Sequence, residues 1–310
     1  MSAIVNNQLL RIVSAVERLR LWLLTQRWFS SYLLPALPRR LRWGLRRVYL
    51  APVDLTNRLL GRRDGLMPPR ANNCSGAVID FKGSGKALVK ALEEEAGLIP
   101  SSRVLDIGCG YGRLAAAMPE YLGANGSYDG LDIVPDAIRW CEANITSPLG
   151  NIRFKLADVF NKEYSPNGTV NAAEYRLPFE DQTFDVIVLI SVFTHMLPAE
   201  VDHYVGEIAR ILKPNGRCFA SYLLLTEQSR RLMSTKESSF KFTYEMGSHW
   251  LVSRKVPELA VGYEESFVRD LYEKHGLAWV LYPGYWCGQA SHWARDSGLG
   301  EQDVLVARKG

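Results

Sequence analysis

An acidic residue followed by three alternating glycines offers the clearest chemistry in this sequence. Residues 103–113 read RVLDIGCGYGR, where Gly108, Gly110 and Gly112 follow Asp106. Glycine tolerates positive φ angles and lets a ligand approach the main chain, so the string predicts a tight turn from a strand into a helix. The free N–H groups at the start of that helix bind polar or anionic groups. A plain turn without a ligand is the alternative, because a dinucleotide fingerprint would have its third glycine where an arginine stands here.

Two further carboxylates are predicted at the ends of strands. Asp132 lies near the end of a strand predicted over 128–133, and Asp158 follows one predicted over 151–157. A carboxylate at such a place can accept hydrogen bonds from ribose hydroxyls or from an exocyclic amine such as that of adenine. Each residue taken alone is more commonly a helix cap. Three acidic strand ends in a row favour a nucleoside site at the carboxyl edge of an open sheet.

The elements that must position these residues alternate between strand and helix patterns. Such alternation predicts an α/β fold with a largely parallel sheet. The segment after the fifth strand, 226–262, has no clean period. Strands are predicted over 103–108, 128–133, 151–157, 184–191, 217–225, 277–282 and 303–307, and helices over 86–96, from the glycine turn to about 121, and over 135–145, 198–212 and 264–275.

Five segments in a fixed order carry a family resemblance. VLDIGCGYGR, YDGLDIVPDAIRWC, KLADVFN, LPFEDQTFDVIVLISVFTHM and ILKPNGR resemble the class I S-adenosylmethionine (SAM)-dependent methyltransferases. The resemblance implies a Rossmann-like, seven-stranded sheet of order 3-2-1-4-5-7-6 with the last strand antiparallel. It also implies SAM as the cofactor.

The resemblance further implies how the cofactor is held. The glycine turn would receive the methionine portion, Asp132 the ribose, Ile133 one adenine face, and Asp158 with the Val159 backbone the adenine edge. The complete set of expected cofactor-binding residues is Asp106, Gly108, Cys109, Gly110, Gly112, Asp132, Ile133, Asp158, Val159 and Ser191.

A histidine follows the fourth predicted strand, at the place where a catalytic group would face the transferred methyl group. Methyl transfer from a sulfonium releases a neutral leaving group, so the protein must align the nucleophile and exclude water. A hydroxyl nucleophile also needs a base, and His195 is the candidate. A structural hydrogen bond and a substrate contact are the alternatives for His195. No cluster has metal-ligand spacing, so we expect metal-independent transfer.

Two aromatic-rich segments are expected to form lids over the acceptor, near 226–262 and 283–300. Their aromatic residues could line an acceptor cleft or merely cover the sheet. A hydroxyl of a small molecule, glycan or glycolipid is the first expectation for the acceptor. The alternatives are C- or N-methylation of a lipid or natural product, and a SAM-binding scaffold or sensor without catalysis. The expected acceptor-binding residues are Phe193, Tyr244, His249, Trp250, Tyr285 and Trp286.

The first 70 residues form a basic extension before a domain expected over 71–310. Through residue 63 there are twelve arginines and two acidic residues. An amphipathic helix is predicted over 8–34 and a second basic helix over 39–50, followed by a connector over 53–70. Residues 8–50 could lie on an anionic membrane, pack on the catalytic domain or a second copy, or be a cleaved presequence. Nucleic acid is not expected, because the aromatic residues stand among aliphatic ones.

Composition is that of an ordinary globular protein, with 47% hydrophobic and 23% charged residues. Five cysteines without a C-x-x-C pair favour a reducing compartment and argue against a zinc site or a disulfide framework. No secretory signal is expected at the beginning of the chain. These features predict a cytoplasmic protein, peripheral at the inner membrane face if the extension binds lipid.

Overall fold

The computed structural model describes residues 18, 22, 37, 39–59, 66–69, 81–235, 241–284, 286, 294–297, 299 and 301–310. The chain divides into two compact units, 1–76 and 77–310. Apart from residues 18 and 22, the helix predicted over 8–34 lies outside the described residues.

Helix α1, Arg39–Leu59, belongs to the first unit and is longer than predicted. The sequence predicts an end near residue 50, yet the helix continues through Pro52. Proline removes one backbone N–H and so one hydrogen bond, which weakens a helix without always ending it. The segment 53–59 is therefore helix rather than connector. No helix in the described part of the chain is long and apolar enough to cross a membrane.

A seven-stranded sheet organises the second unit, and β6 to β9 form a separate sheet. The strands of the large sheet are β1 Arg103–Ile107, β2 Ser127–Asp132, β3 Ile152–Leu156, β4 Phe184–Leu189, β5 Leu212–Tyr222, β10 Leu277–Tyr282 and β11 Asp303–Lys309. Their order is β3-β2-β1-β4-β5-β11-β10. Strand β11 is antiparallel to both of its neighbours, whereas β1 to β5 pair in parallel. This topology confirms the predicted order and the antiparallel last strand.

Helices lie between these strands, close to the predicted bounds in most cases. They are α2 Phe81–Ala96, α3 Met118–Tyr121, α4 Pro135–Asn144, α5 Pro198–Ile211, α6 Glu227–Thr235, α7 Glu265–Lys274 and α8 Ala294–Ser297. Helix α2 begins five residues before its predicted start. Position 85 in this helix requires glycine, because a Cβ there would lie 2.4 Å from the carbonyl oxygen of Arg113. Helix α2 thus packs directly on the glycine turn.

The prediction of a helix from the glycine turn to about residue 121 is wrong. A turn is followed by a short 3-10 helix, Ala115–Ala117, and then by the four-residue helix α3. Pro119 lies at the start of α3, and proline cannot donate the hydrogen bond that would continue a helix from the preceding turn.

Strand β5 also differs from the prediction. It begins at Leu212 rather than at residue 217, and the register shifts opposite Phe184 and Val186. Asn215 has φ +65°, which is typical of a local bulge. The strand ends at Tyr222 rather than at Leu225.

A second, smaller sheet draws most of its strands from the segment that lacked a period. Its order is β6-β9-β8-β7, with β6 Leu224–Leu225, β7 Tyr244–Glu245, β8 His249–Leu251 and β9 Val261–Glu264. Strands of two to four residues are too short to show alternation in a sequence. This sheet lies beside the carboxyl end of β4, because β9 packs against the 3-10 helix Phe193–His195.

Candidate functional site

The glycine turn after β1 has the backbone that only glycine adopts readily. Gly108, Gly110 and Gly112 have φ angles of +76°, +53° and +75°. A Cβ at Gly108 would lie 2.3 Å from Val192 Cγ2, and one at Gly112 would lie 2.4 Å from Ile145 Cδ1. The turn is therefore held between the loop after β4 and the end of α4, with no room for side chains.

Asp132 closes β2 directly beside this turn. Its Oδ2 accepts the Gly110 N–H at 2.7 Å, and its Oδ1 accepts the Val134 N–H at 2.8 Å. Burial raises the pKa of Asp132, while these backbone hydrogen bonds oppose the rise. Each oxygen keeps a second lone pair, so the carboxylate can also accept ribose hydroxyls. The adjacent Ile133 is half-buried against the core.

The carboxyl group of Asp106 is hydrogen-bonded within the protein. Its Oδ2 accepts the Tyr128 hydroxyl at 2.6 Å, and the carboxyl group is buried. Burial raises the pKa of Asp106 to about 7, against a lowering effect of the Tyr128 hydrogen bond. This placement favours a role in joining β1 to β2 under the glycine turn over direct contact with a ligand.

Cys109 is a buried, unoxidised thiol in the turn. Burial raises its pKa well above the ordinary value, and the nearby carboxylates of Asp132 and Asp106 add to the rise. The thiol therefore stays protonated, and its contribution is packing rather than nucleophilic chemistry.

Asp158 lies on the surface after β3, where Thr169 fixes it. Its Oδ1 accepts the Thr169 N–H at 2.9 Å, and its Oδ2 accepts the Thr169 hydroxyl. The same hydrogen bonds lower the pKa of Asp158, so the carboxylate is charged at neutral pH and suited to an amine donor. Val159 is buried and bridges to Val170. Thr169 had no signal in the sequence.

Ser191 lies two residues after β4 in a left-handed conformation, with φ +57°. Its N–H donates to Ser221 Oγ at 2.7 Å, and its Oγ accepts from Gln302 Nε2 at 2.7 Å. Ser221 and Gln302 were missed by sequence reasoning, because they lie 30 and 111 residues away along the chain.

His195 ends the 3-10 helix after β4 with its ring tied to the chain before β9. Its Nδ1 lies 2.9 Å from the carbonyl oxygen of Glu258. A carbonyl oxygen can only accept, so Nδ1 carries the hydrogen and Nε2 keeps the lone pair in the neutral ring. Burial lowers the pKa of His195 below the ordinary value of 6.5. The ring of Tyr164 stands edge-on to it, with centroids 5.3 Å apart.

Two predicted acceptor contacts are instead part of the core. Phe193 is buried and stacks on Tyr222 with ring centroids 5.1 Å apart. Trp286 is buried against Phe242, and its Nε1 donates to Asp303 Oδ2 at 2.6 Å. These contacts account for the placement of both side chains in the core, and their contact with an acceptor stays a prediction. Tyr285 lies outside the described residues.

The remaining predicted acceptor residues fall in the second sheet. Trp250 Nε1 donates to Glu264 Oε1 at 2.8 Å, and Tyr244 lies under the guanidinium group of Arg254, 4.9 Å from its ring centroid. His249 pairs across the sheet with Tyr263. Burial lowers the pKa of His249.

Three buried polar atoms around His195 have no hydrogen-bond partner within the described ranges. They are Thr194 Oγ1, His249 Nδ1 and Glu258 Oε2. Thr194 precedes His195, Glu258 holds its ring, and His249 is linked through Tyr263, whose hydroxyl donates to the Met196 carbonyl. Buried polar groups nearly always have a partner, so each of these atoms can still bind a water molecule or a polar ligand.

Metal ligation has no visible support in the described residues. No group of three or more histidine, cysteine, aspartate or glutamate side chains among them is arranged to hold an ion.

Comparison with known proteins supports one family. A family model described as a methyltransferase domain matches residues 99–265. The crystal structure of the PH0226 protein of Pyrococcus horikoshii aligns with a TM-score of 0.52 at 18% identity, covering 77% of this chain and 95% of that one. At this identity the likeness shows the fold.

Curated relatives match over the same part of the chain. A sterol 24-C-methyltransferase of Schizosaccharomyces pombe is 35% identical over 120 residues, which is 39% of this chain and 27% of the relative. A phthiotriol/phenolphthiotriol dimycocerosates methyltransferase of Mycobacterium ulcerans is 30% identical over 129 residues, which is 42% of this chain and 38% of the relative. The match spans less than half the length of each relative.

The glycine turn and the strand-end carboxylates fit SAM, since a main chain free of Cβ atoms stands beside an acceptor for ribose hydroxyls. Together with the family match over more than half of the chain, this shows that the chain belongs to the class I SAM-dependent methyltransferases.

Proposed function

We propose that this methyltransferase is a metal-independent O-methyltransferase with His195 as its base. The observation that carries the proposal is the hydrogen bond between His195 Nδ1 and the Glu258 carbonyl oxygen. It leaves the lone pair on Nε2, and the lowered pKa of His195 keeps the ring neutral at neutral pH. A neutral, oriented imidazole can accept a hydroxyl proton as the oxygen attacks. Bound SAM supplies an electrophilic methyl group.

The cofactor would be held as the resemblance implies. The glycine turn would hold the methionine portion, Asp132 the ribose hydroxyls, and Asp158 with Val159 the adenine edge. The hydrogen bonds that orient the carboxylates of Asp132 and Asp158 support these roles. Asp106 and Cys109 would shape the turn from below without contacting the cofactor.

The acceptor would be a hydroxyl-bearing small molecule, glycan or glycolipid. The partnerless polar atoms of Thr194, His249 and Glu258 support this choice. A purely hydrocarbon acceptor would leave them buried and unsatisfied, at a cost of about 1–3 kcal/mol each. The lid segments near 226–262 and 283–300, with Tyr244, His249 and Trp250, would enclose the acceptor.

Carbon methylation is the second candidate, and the names of the relatives favour it. One relative is named as a sterol C-methyltransferase. A C-methyltransferase also uses a base, which removes a proton after the methyl group has been added. The position of the methyl group in the product therefore distinguishes the two reactions.

The first unit would bring the enzyme to an anionic membrane where a lipid-linked acceptor resides. In α1 the residues Leu41, Leu45, Val48 and Leu55 are exposed and recur at helical spacing. The helix also carries several arginines and few acids. An apolar stripe with arginines fits an interfacial helix. We place the boundary between this extension with its linker, 1–70, and the catalytic domain, 71–310, a few residues before the division of the chain into units 1–76 and 77–310.

The test is methyl transfer from SAM that carries a deuterated methyl group. The protein is incubated with polar and lipid extracts, and labelled products are identified by mass spectrometry. We expect the label as a methyl ether that fragments as deuterated methanol. Asp132→Ala serves as the cofactor-binding control and should give no product. A label bound to carbon would support C-methylation instead, and no label with any extract would favour a scaffold or sensor.

A further inference from the structure

A closed ring of hydrogen bonds joins three strands of the large sheet at the cofactor end. The Ser191 N–H donates to Ser221 Oγ at 2.7 Å, and Ser221 Oγ donates to Gln302 Oε1 at 2.6 Å. Gln302 Nε2 completes the ring by donating to Ser191 Oγ at 2.7 Å. Ser191 follows β4, Ser221 lies in β5, and Gln302 precedes β11.

The three hydrogen bonds of the ring do not use the hydroxyl proton of Ser191. Ser191 Oγ accepts the Gln302 amide hydrogen, so its own proton must point elsewhere. Ser191 also holds a left-handed φ of +57°, which is unfavourable for a residue with a side chain. A strained residue kept in place by a closed ring is typical of a site where side-chain direction matters.

The Ser191 turn lies against the glycine turn. A Cβ on Gly108 would come within 2.3 Å of Val192 Cγ2, so the residue after Ser191 touches the first glycine. The Ser191 turn therefore borders the proposed methionine site. Of the two charged groups of that amino acid, only the carboxylate can accept a proton.

Gln302 is itself held rigidly by its neighbour in the chain. The buried carboxylate of Asp303 accepts the N–H groups of Leu224 and Gly284 and the indole N–H of Trp286. These bonds fix the start of β11 against the second sheet and the beginning of the 283–300 segment. The Gln302 amide thus projects from an anchored backbone.

We propose that Ser191 donates a hydrogen bond to the methionine carboxylate of SAM and that Gln302 is the positioning residue that sets the direction of this donor. Gln302 acts by occupying the Ser191 oxygen as an acceptor, which leaves the hydroxyl proton for the cofactor. The proposal rests on the proposed placement of the cofactor in the glycine turn.

The test uses calorimetry of two ligands that share the sulfonium and the adenosine: SAM and decarboxylated SAM. In Gln302→Glu the new carboxylate accepts the Ser191 proton and withdraws it from the cofactor. We expect SAM to bind roughly 10- to 100-fold more weakly, as for loss of a hydrogen bond to a charged group. Decarboxylated SAM should bind within about twofold of wild type, because it lacks the partner of the lost bond.

Ser191→Ala is the second variant, and it separates the loss of the Ser191 hydrogen bond from simple charge repulsion by the new carboxylate. Alone it should weaken SAM binding and spare decarboxylated SAM. Added to Ser191→Ala, the Gln302→Glu change should have little further effect, since the two residues act on one bond. A Gln302→Glu effect that persists undiminished in the Ser191→Ala background would overturn the proposal, as repulsion alone would then explain it.

A control variant and three further outcomes complete the test. Gln182→Glu, at an exposed position shortly before β4, is the matched control and should bind both ligands like wild type. Equal weakening of both ligands by Gln302→Glu would show a merely structural role and reject the proposal, as would wild-type affinity for SAM. Failure of Asp132→Ala to weaken SAM binding would instead refute the placement of the cofactor, and with it the position of its carboxylate.

Discussion

The carbonyl oxygen of Glu258 lies 2.9 Å from Nδ1 of His195, although 63 residues separate them in the sequence. The contact ties the end of the large sheet to the segment that leads into β9. It fixes the tautomer of the histidine, while the carboxylate of the same glutamate keeps a buried oxygen without a partner in the described chain. In the proposed mechanism, Glu258 would thereby link the orientation of the base to the polarity of the acceptor site.

His195→Gln should lower kcat roughly 10²- to 10⁴-fold with SAM affinity little changed, because the variant removes the base and leaves the cofactor residues intact. Since burial lowers the pKa of His195, wild-type turnover should be flat above pH 6.5 and fall as the ring becomes protonated at lower pH. The variant should lose that acidic limb. His203→Gln, in the middle of α5, is the matched control. An unchanged pH profile in His195→Gln would exclude the histidine as base.

Glu258→Gln should raise the KM for the acceptor roughly tenfold, because the amide offers one acceptor oxygen where the carboxylate offers two. The backbone carbonyl that orients His195 is retained, so kcat should change by less than about threefold. Initial rates at varied acceptor concentration separate the two effects. Glu273→Gln, on the exposed side of α7, should behave like wild type. A fall in kcat without a change in KM would contradict a role in acceptor binding.

Gly108→Ala should weaken SAM binding at least roughly tenfold and cost about 1–3 kcal/mol of stability, because the residue has φ +76° and faces Val192 Cγ2. The double variant with Val192→Ala removes the facing methyl group. It should recover part of the lost affinity but not the part due to φ strain. Calorimetry and urea unfolding measure both. Absence of any recovery would mean that the loop after β4 does not press on the glycine turn.

The sequence allowed the large sheet to be predicted because its signals are local. Strand β4 is almost entirely apolar, the glycine turn follows β1, and Asp132 ends β2. Glu258, Thr169 and Gln302 were not predicted, since each acts through a contact that no periodicity encodes. Phe193 and Trp286 were predicted as acceptor contacts because aromatic residues near a site suit both a cleft and a core. Only the packing, on Tyr222 and Phe242, distinguishes the two.

Asp106→Asn should change the pH dependence of stability in a defined direction. The pKa of Asp106 is raised from 3.8 to about 7 in the folded protein. Between these values the folded state holds a proton that the unfolded state has released, so the free energy of unfolding falls as the pH rises. The neutral amide of the variant does not titrate, so its free energy of unfolding lacks this pH dependence. Urea unfolding from pH 5 to pH 8 should therefore show the variant gaining stability relative to wild type, up to about pH 7. Parallel stability curves would contradict the raised pKa.

Leu45→Glu combined with Val48→Glu should weaken binding to vesicles that contain an anionic lipid. Both side chains lie on the exposed apolar stripe of α1, and each aliphatic side chain contributes about 1.5–3 kcal/mol when it is buried in an apolar phase. We expect at least roughly tenfold less sedimentation with vesicles, and unchanged SAM binding, because the cofactor residues belong to the second unit. Val280→Glu, an equally exposed apolar position in β10, controls for added charge. Wild-type protein that does not sediment with the vesicles at low salt would refute the membrane proposal. An equal loss of sedimentation in Val280→Glu would show that charge alone, and not the apolar stripe, governs the binding.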